Sequence, residues 1–192
     1  MCKKIKNCFY KNLTFDKLMQ AHKRARQHKA YKDEIILFEM NLENNITNLM
    51  NNIATEKYKL GNYRTFKIYE PKERIIKALP YVDRIVHQWY VEEFIKPYIV
   101  PKFINSNFAC LKNKGAHKAV DELQKYLRIY KRNKQSFWIL KCDISKFFYS
   151  INPYILFNIL THYISDKELL KFTKLLIFDN RSSEDIVGIP IR

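Results

Sequence analysis

Glycine is almost missing from this chain, with 3 in 192 residues. That scarcity excludes a glycine-rich phosphate loop and argues against an all-β fold built on many tight turns. Long apolar runs are missing too. No stretch reaches the roughly 18 residues that a membrane-spanning helix needs. The basic start, MCKKIKNCFYKN, lacks the apolar segment of a secretory leader. The four cysteines, Cys2, Cys8, Cys110 and Cys142, are widely and irregularly spaced, with no C-x-x-C pair. Zinc knuckles and thioredoxin-like motifs are therefore unsupported, and reduced thiols in a cytoplasmic protein are expected. Acid is scarce as well: 19 Asp+Glu stand against 35 Lys+Arg, a net charge of +16.

Apolar residues make up 47% and aromatics 15%, which suffices for the core of one domain or one and a half and excludes global disorder. The basic excess points to a polyanion, either nucleic acid or an anionic surface. Its composition tempers that reading. Lys outnumbers Arg by 26 to 9, and with abundant Ile, Asn, Tyr and Phe this is the mixture an AT-rich coding sequence gives without selection for binding. Arginine, the better reader of phosphates and guanines, is the minority. Without a spanning segment, no membrane partner is expected.

The fold class read from the pattern is α+β, predominantly helical with a β-hairpin and one further strand. Residues 14–59 carry apolar positions at helical spacing, and the polar stretch 17–32 within them holds Lys23, Arg24, Arg26 and Lys29. Gly61-Asn62 closes this region. The period then changes to two: residues 63–79 read as a hairpin turned at Pro71-Lys72-Glu73. Asp83 suits the N-cap or first turn of a helix over 83–95. After an irregular stretch, 103–114, a stripe of Ala119, Leu123, Tyr126, Leu127 and Tyr130 predicts a helix over 116–132. FWILKCD (137–143) predicts a strand ending in a carboxylate. Helices are expected over 153–162 and 166–178, then a polar loop over 180–187. No repeat is apparent.

A carboxylate at the end of a buried strand is costly unless it is paired or holds a metal. Asp143, in KCDISKFF, is on this local pattern either a helix cap or turn former, the commoner role of an Asp at a strand end, or a metal ligand. The wider sequence resembles the reverse transcriptase family of the bacterial retron, group II intron and diversity-generating retroelement types. YRTFKIYEPKERIIKALPYVDRIVHQ is similar to the family's fingers segment. NSNFACLKNKGAHKAVDEL is similar to its next block, WILKCDISKFFYSI to its motif A, and GIPI to the start of its motif B. These segments cover about 63–192 in the family's order.

The resemblance implies a right-hand polymerase fold with fingers and a partial RRM-like palm. Residues 1–60 would form a helical extension, 61–135 the fingers and 136–192 the palm up to motif B. It implies RNA-templated DNA synthesis with Mg²⁺, or Mn²⁺ in its place, bound by Asp143 and the Ile144 carbonyl. Arg74, with Lys72 and Lys67, would grip the incoming triphosphate. Phe148 would be the steric gate against a ribose 2′-OH, Phe147 would support the sugar pocket, and Ile191 would line the nucleotide pocket. Nucleic-acid contacts would fall to Arg84, Lys112, Lys114 and His117. Arg84 equally suits a structural role, and His117 suits a helix terminus or the core. The expected partners are an RNA template, a DNA primer or product, dNTPs, and a dedicated structured RNA or accessory protein. The residue after Ile191 is Arg192, where the family continues P-x-G, and no Y-x-D-D segment occurs in these residues. A two-metal site needs several carboxylates, so the 192 residues are expected to be the inactive N-terminal part of such an enzyme. The alternatives are a non-catalytic RNA-binding module and a template-independent, protein-primed polymerase of the abortive-infection kind.

Overall fold

The computed structural model describes residues 4–69, 73–132, 136, 138–178 and 188. It is mixed α+β and mostly helical, with a single two-stranded antiparallel sheet among the described residues. The chain divides into two compact units, 1–100 together with 146–192, and 101–145. These units cut across the three segments expected from the resemblance.

The first unit begins with α1 (Phe9–Asn12), α2 (Phe15–Ala25), α3 (Asp33–Glu39) and α4 (Leu42–Ala54). The helical expectation for 14–59 is met in three pieces rather than one. His28 takes a positive φ of 61° in the turns after α2, which the basic run does not announce. Helix α4 stops at Ala54, short of Gly61, because Glu56 also takes a positive φ and the next two N–H groups, of Lys57 and Tyr58, donate back to the Asn52 carbonyl. Tyr58 and Leu60 then turn into the core.

Strands β1 (Arg64–Ile68) and β2 (Arg74–Ala78) form the expected hairpin, with Phe66 opposite Ile76 and Ile68 opposite Arg74. The tip residues Pro71 and Lys72 lie outside the described residues. Helix α5 (Tyr81–Tyr90) follows, starting two residues before Asp83. Its buried positions, Tyr81, Ile85, Val86, Trp89 and Tyr90, recur at helical spacing and pack against α2, whose inward face is Leu18, Ala21 and His22. A widened π turn at Val91–Ile95 leads into α6 (Lys96–Tyr98). Pro97 has no N–H to offer the carbonyl four residues back, which explains the change of winding there.

The remainder of this unit is α8 (Phe147–Ser150), α9 (Pro153–Tyr163) and α10 (Lys167–Phe178), separated from α6 in the chain by α7 (Ala116–Arg132) of the second unit. Asn152 caps α9 by accepting from the Tyr154 and Ile155 N–H groups. The N-terminal segment is sewn to the α9–α10 junction. Ile5 pairs with Ile164, and its carbonyl accepts from the Ser165 and Asp166 N–H groups. Asp166 completes the seam: one oxygen accepts from Cys8 N (2.7 Å) and Phe9 N (3.0 Å), the other from Leu169 N (3.1 Å). Phe9, Trp89, Phe94 and Phe172 form one aromatic cluster at the centre of this core. Trp89 Nε1 donates to the Asn12 carbonyl, and Tyr90 donates to Thr173, whose own hydroxyl donates to the Leu169 carbonyl.

In the second unit, residues 103–115 run through turns, with positive φ at Cys110, Asn113 and Gly115, and lead into α7. The helix predicted over 116–132 is present. The strand predicted over 137–143 is not: its described residues form no ladder, and Trp138 and Leu140 are 99% and 87% exposed. A strand exists only through a neighbour that takes its N–H and C=O groups, and the described residues contain no sheet besides the hairpin.

Candidate nucleotide and nucleic-acid interface

The hairpin has no buried residue in either strand, with Phe66 and Ile75 each about two-fifths exposed. Its register decides which cations act together. In an antiparallel pair, directly opposite residues share a face. Arg74, opposite Ile68, therefore lies on the face of Arg64, Phe66 and Ile76, while Lys67, opposite Ile75, lies on the other face with Thr65 and Lys77. The Lys67 ammonium is also engaged, 2.8 Å from the Glu73 carboxylate. A ligand held by both Lys67 and Arg74 has to wrap an edge or the tip of the hairpin. Lys72 lies outside the described residues, as does Ile191.

Helix α8 presents Phe147 and Phe148 side by side, their rings edge-on with centroids 5.4 Å apart. They are 48% and 49% exposed, so neither is a core residue and exposure does not single out one as the gate. Lys146, just before them, takes a left-handed conformation, which turns the chain into the helix. Gly188, from the motif B-like segment, meets this helix. Its N–H donates to the Ile151 carbonyl (2.8 Å), and a Cβ placed on it would lie 3.1 Å from the Tyr149 carbonyl oxygen. With φ at +106°, only glycine takes this position without strain. The structure thus brings the two motif-like segments into backbone contact, across 37 residues of sequence from Ile151 to Gly188.

In the second unit, Asp143 is exposed and Ile144 largely so. Lys112 and His117 are exposed, the latter in the first turn of α7. Lys114 is half-buried, donating to the Asn105 carbonyl (2.7 Å) and lying 5.2 Å from the centre of the Phe108 ring. Arg84, in the first unit, is committed internally: its guanidinium pairs with Glu34 and stacks 5.5 Å from the Tyr81 ring centre. That geometry fits the structural reading of Arg84.

The donor set does not by itself fit a divalent metal. Mg²⁺ takes six oxygens in a near-octahedral shell, and among the described residues no three His, Cys, Asp or Glu side chains converge. Asp143 is a lone carboxylate there.

Sequence reasoning passed over Asp83 as more than a helix-start acid, and over Tyr58. Asp83 is 3% exposed and spends both oxygens on the chain before the hairpin: Tyr58 Oη donates to one (2.6 Å) and Gly61 N to the other (2.9 Å). The signal was present as a rare glycine beside a tyrosine that interrupts a polar stretch. No helix of the described residues is long and apolar enough to cross a membrane. No protein-family model matches the chain, and comparison with curated proteins finds no significant match.

Proposed function

We propose that these residues are the fingers and the first part of the palm of an RNA-directed DNA polymerase. The observation that carries the reading is the contact of Gly188 with Tyr149 and Ile151. It joins the segment similar to motif B to the segment similar to motif A, as a shared nucleotide pocket requires. The hairpin supports it, with Arg74 beside the turn on an exposed face where an incoming triphosphate can be met. So does the pair of half-exposed rings that follows Asp143 after three residues.

In this reading Arg74 binds and orients the triphosphate, Phe147 and Phe148 pack against the sugar, and the cations of 112–118 hold the nucleic acid. Asp143, with the Ile144 carbonyl, would contribute to a divalent-cation site whose further carboxylates are not among the described residues; bound there, the metal would supply Lewis-acid activation of the phosphoryl group. The test is primer extension on primed poly(rA) by these residues joined to a palm segment bearing Y-x-D-D. Asp143→Ala is expected to abolish extension and to leave RNA affinity within about twofold of the parent, a change under 0.5 kcal/mol. Extension that survives Asp143→Ala overturns the assignment. RNA binding without any extension favours the non-catalytic module.

A further inference from the structure

The hairpin leaves and rejoins the first unit at one place. Tyr58 and Gly61 precede β1, and Pro80 and Asp83 follow β2. Between these points the two strands pair with each other, and no helix packs extensively against them. Among the described residues the closest hold on this element is at its base, which sets its direction. There, both oxygens of one buried carboxylate are used across the junction, on the Tyr58 hydroxyl and the Gly61 N–H. The Tyr58 ring is itself seated in the core, its centre 6.0 Å from that of Phe172. Gly61 fits because it has no side chain: a Cβ there would fall 2.7 Å from Pro80 Cγ and 3.0 Å from Asp83 Oδ2.

We propose that Asp83, Tyr58 and Gly61 form a clamp that fixes the direction of the hairpin relative to the helices, and that Asp83 is a positioning residue for the ligand-bearing face of Arg74. The second half rests on the proposed polymerase reading; the first does not. Removing the carboxylate breaks the bonds that Tyr58 Oη and Gly61 N–H make to Asp83. The β1–β2 ladder stays intact but its base loosens. Asparagine in place of Asp83 can keep both bonds, its carbonyl accepting from Gly61 N and its amide donating to the Tyr58 oxygen.

The experiment is ¹⁵N relaxation on the full chain, with tripolyphosphate binding measured in parallel. In Asp83→Ala the amide order parameters of 64–78 are expected to fall below about 0.6, while those of α4 and α5 stay near about 0.85. Asp83→Asn should restore the parent values, which a mere loss of packing would not explain. Should Asp83→Ala fail to fold, Tyr58→Phe serves instead and should lower the hairpin values in the same direction. Unchanged hairpin values in the folded variants, or a loss spread evenly over the helices, overturn the clamp. With the hairpin loosened, tripolyphosphate affinity that drops as it does in Arg74→Ala supports the positioning role. Affinity that stays at the parent level overturns that role while the clamp stands.

Discussion

Burial decides the charge of His22 but not that of Asp166. His22 is buried between Tyr81, which donates to its Nδ1 (2.8 Å), and Glu39, whose Oε1 lies 3.1 Å from Nε2. Burial lowers its pKa, and Arg26 adds to this; Glu39 opposes them without winning. A base with a depressed folded pKa leaves the unfolded chain to take the proton first. Stability should therefore fall as pH drops below the ordinary imidazole value of 6.5, until the folded pKa is reached. Melting temperatures from pH 7.5 to 5.5 check this, and His22→Gln should flatten the profile. Asp166 is the opposite case. Burial works against its charge, but backbone N–H groups of Leu169, Phe9, Cys8 and Glu168 outweigh it and hold the carboxyl below its usual range. Its contribution is present above the ordinary carboxylate value and is lost as pH falls through the folded value. Asp166→Ala, leaving buried N–H groups unsatisfied, should cost about 1–3 kcal/mol. Chemical denaturation at neutral pH measures it. Neither environment was legible in the sequence, since each is assembled from residues far apart in it: Asp166 and Cys8 are separated by 158 positions. Phe148, read as the gate, is half-exposed. Phe148→Ala should therefore cost about 1–2 kcal/mol, less than the roughly 3–5 of a buried Phe, so that any rise in rNTP use can be read without unfolding.

At the scale of elements, what was legible was what local pattern specifies. The hairpin follows from alternation around a proline turn, α7 from a heptad-like stripe, and α9 from Asn152 before Pro153. The strand over 137–143 has the right β-branched and aromatic content, yet its described residues form no ladder. Strand propensity states only that a segment suits a sheet; the sheet must come from elsewhere. Helix α4 ended early for a related reason, the pull of Tyr58 and Leu60 into the core. The hairpin register yields a separable expectation. Arg74 and Lys67 face opposite ways, and Lys67 is paired with Glu73. Arg74→Ala should weaken triphosphate binding about tenfold or more, the scale of one lost charge-assisted contact. Lys67→Ala should change it by about threefold or less, since exposed pairs contribute under about 1 kcal/mol. Equal losses would mean that the ligand wraps the hairpin tip. Gly188→Ala should detach the motif B-like segment from α8, and loss of hydrogen-exchange protection at the amide of position 188, relative to the parent, would report it.

The whole molecule is a basic chain, with a net charge of +16. Composition alone left that charge open between function and codon usage. RNA binding should decide it, with log K falling against log salt by about 0.7 for each phosphate neutralised on a single strand. Lys112→Gln should lower that slope by about one phosphate's worth if the side chain contacts the backbone. Binding insensitive to salt would leave the charge to composition. The order of the motif-like segments was readable without coordinates; the contact between Gly188 and α8 was not, because it depends on where the chain returns after α10. RNA-templated synthesis, as proposed for these residues, is tested by the identity of the nucleotide added to a primer on RNA of defined sequence. The enzyme to use is the Y-x-D-D-completed chain, given all four dNTPs. Addition of the complementary dNTP at each template position, lost in Asp143→Ala, is the expected result. Addition that ignores the template, or proceeds from the protein without a nucleic-acid primer, would contradict it.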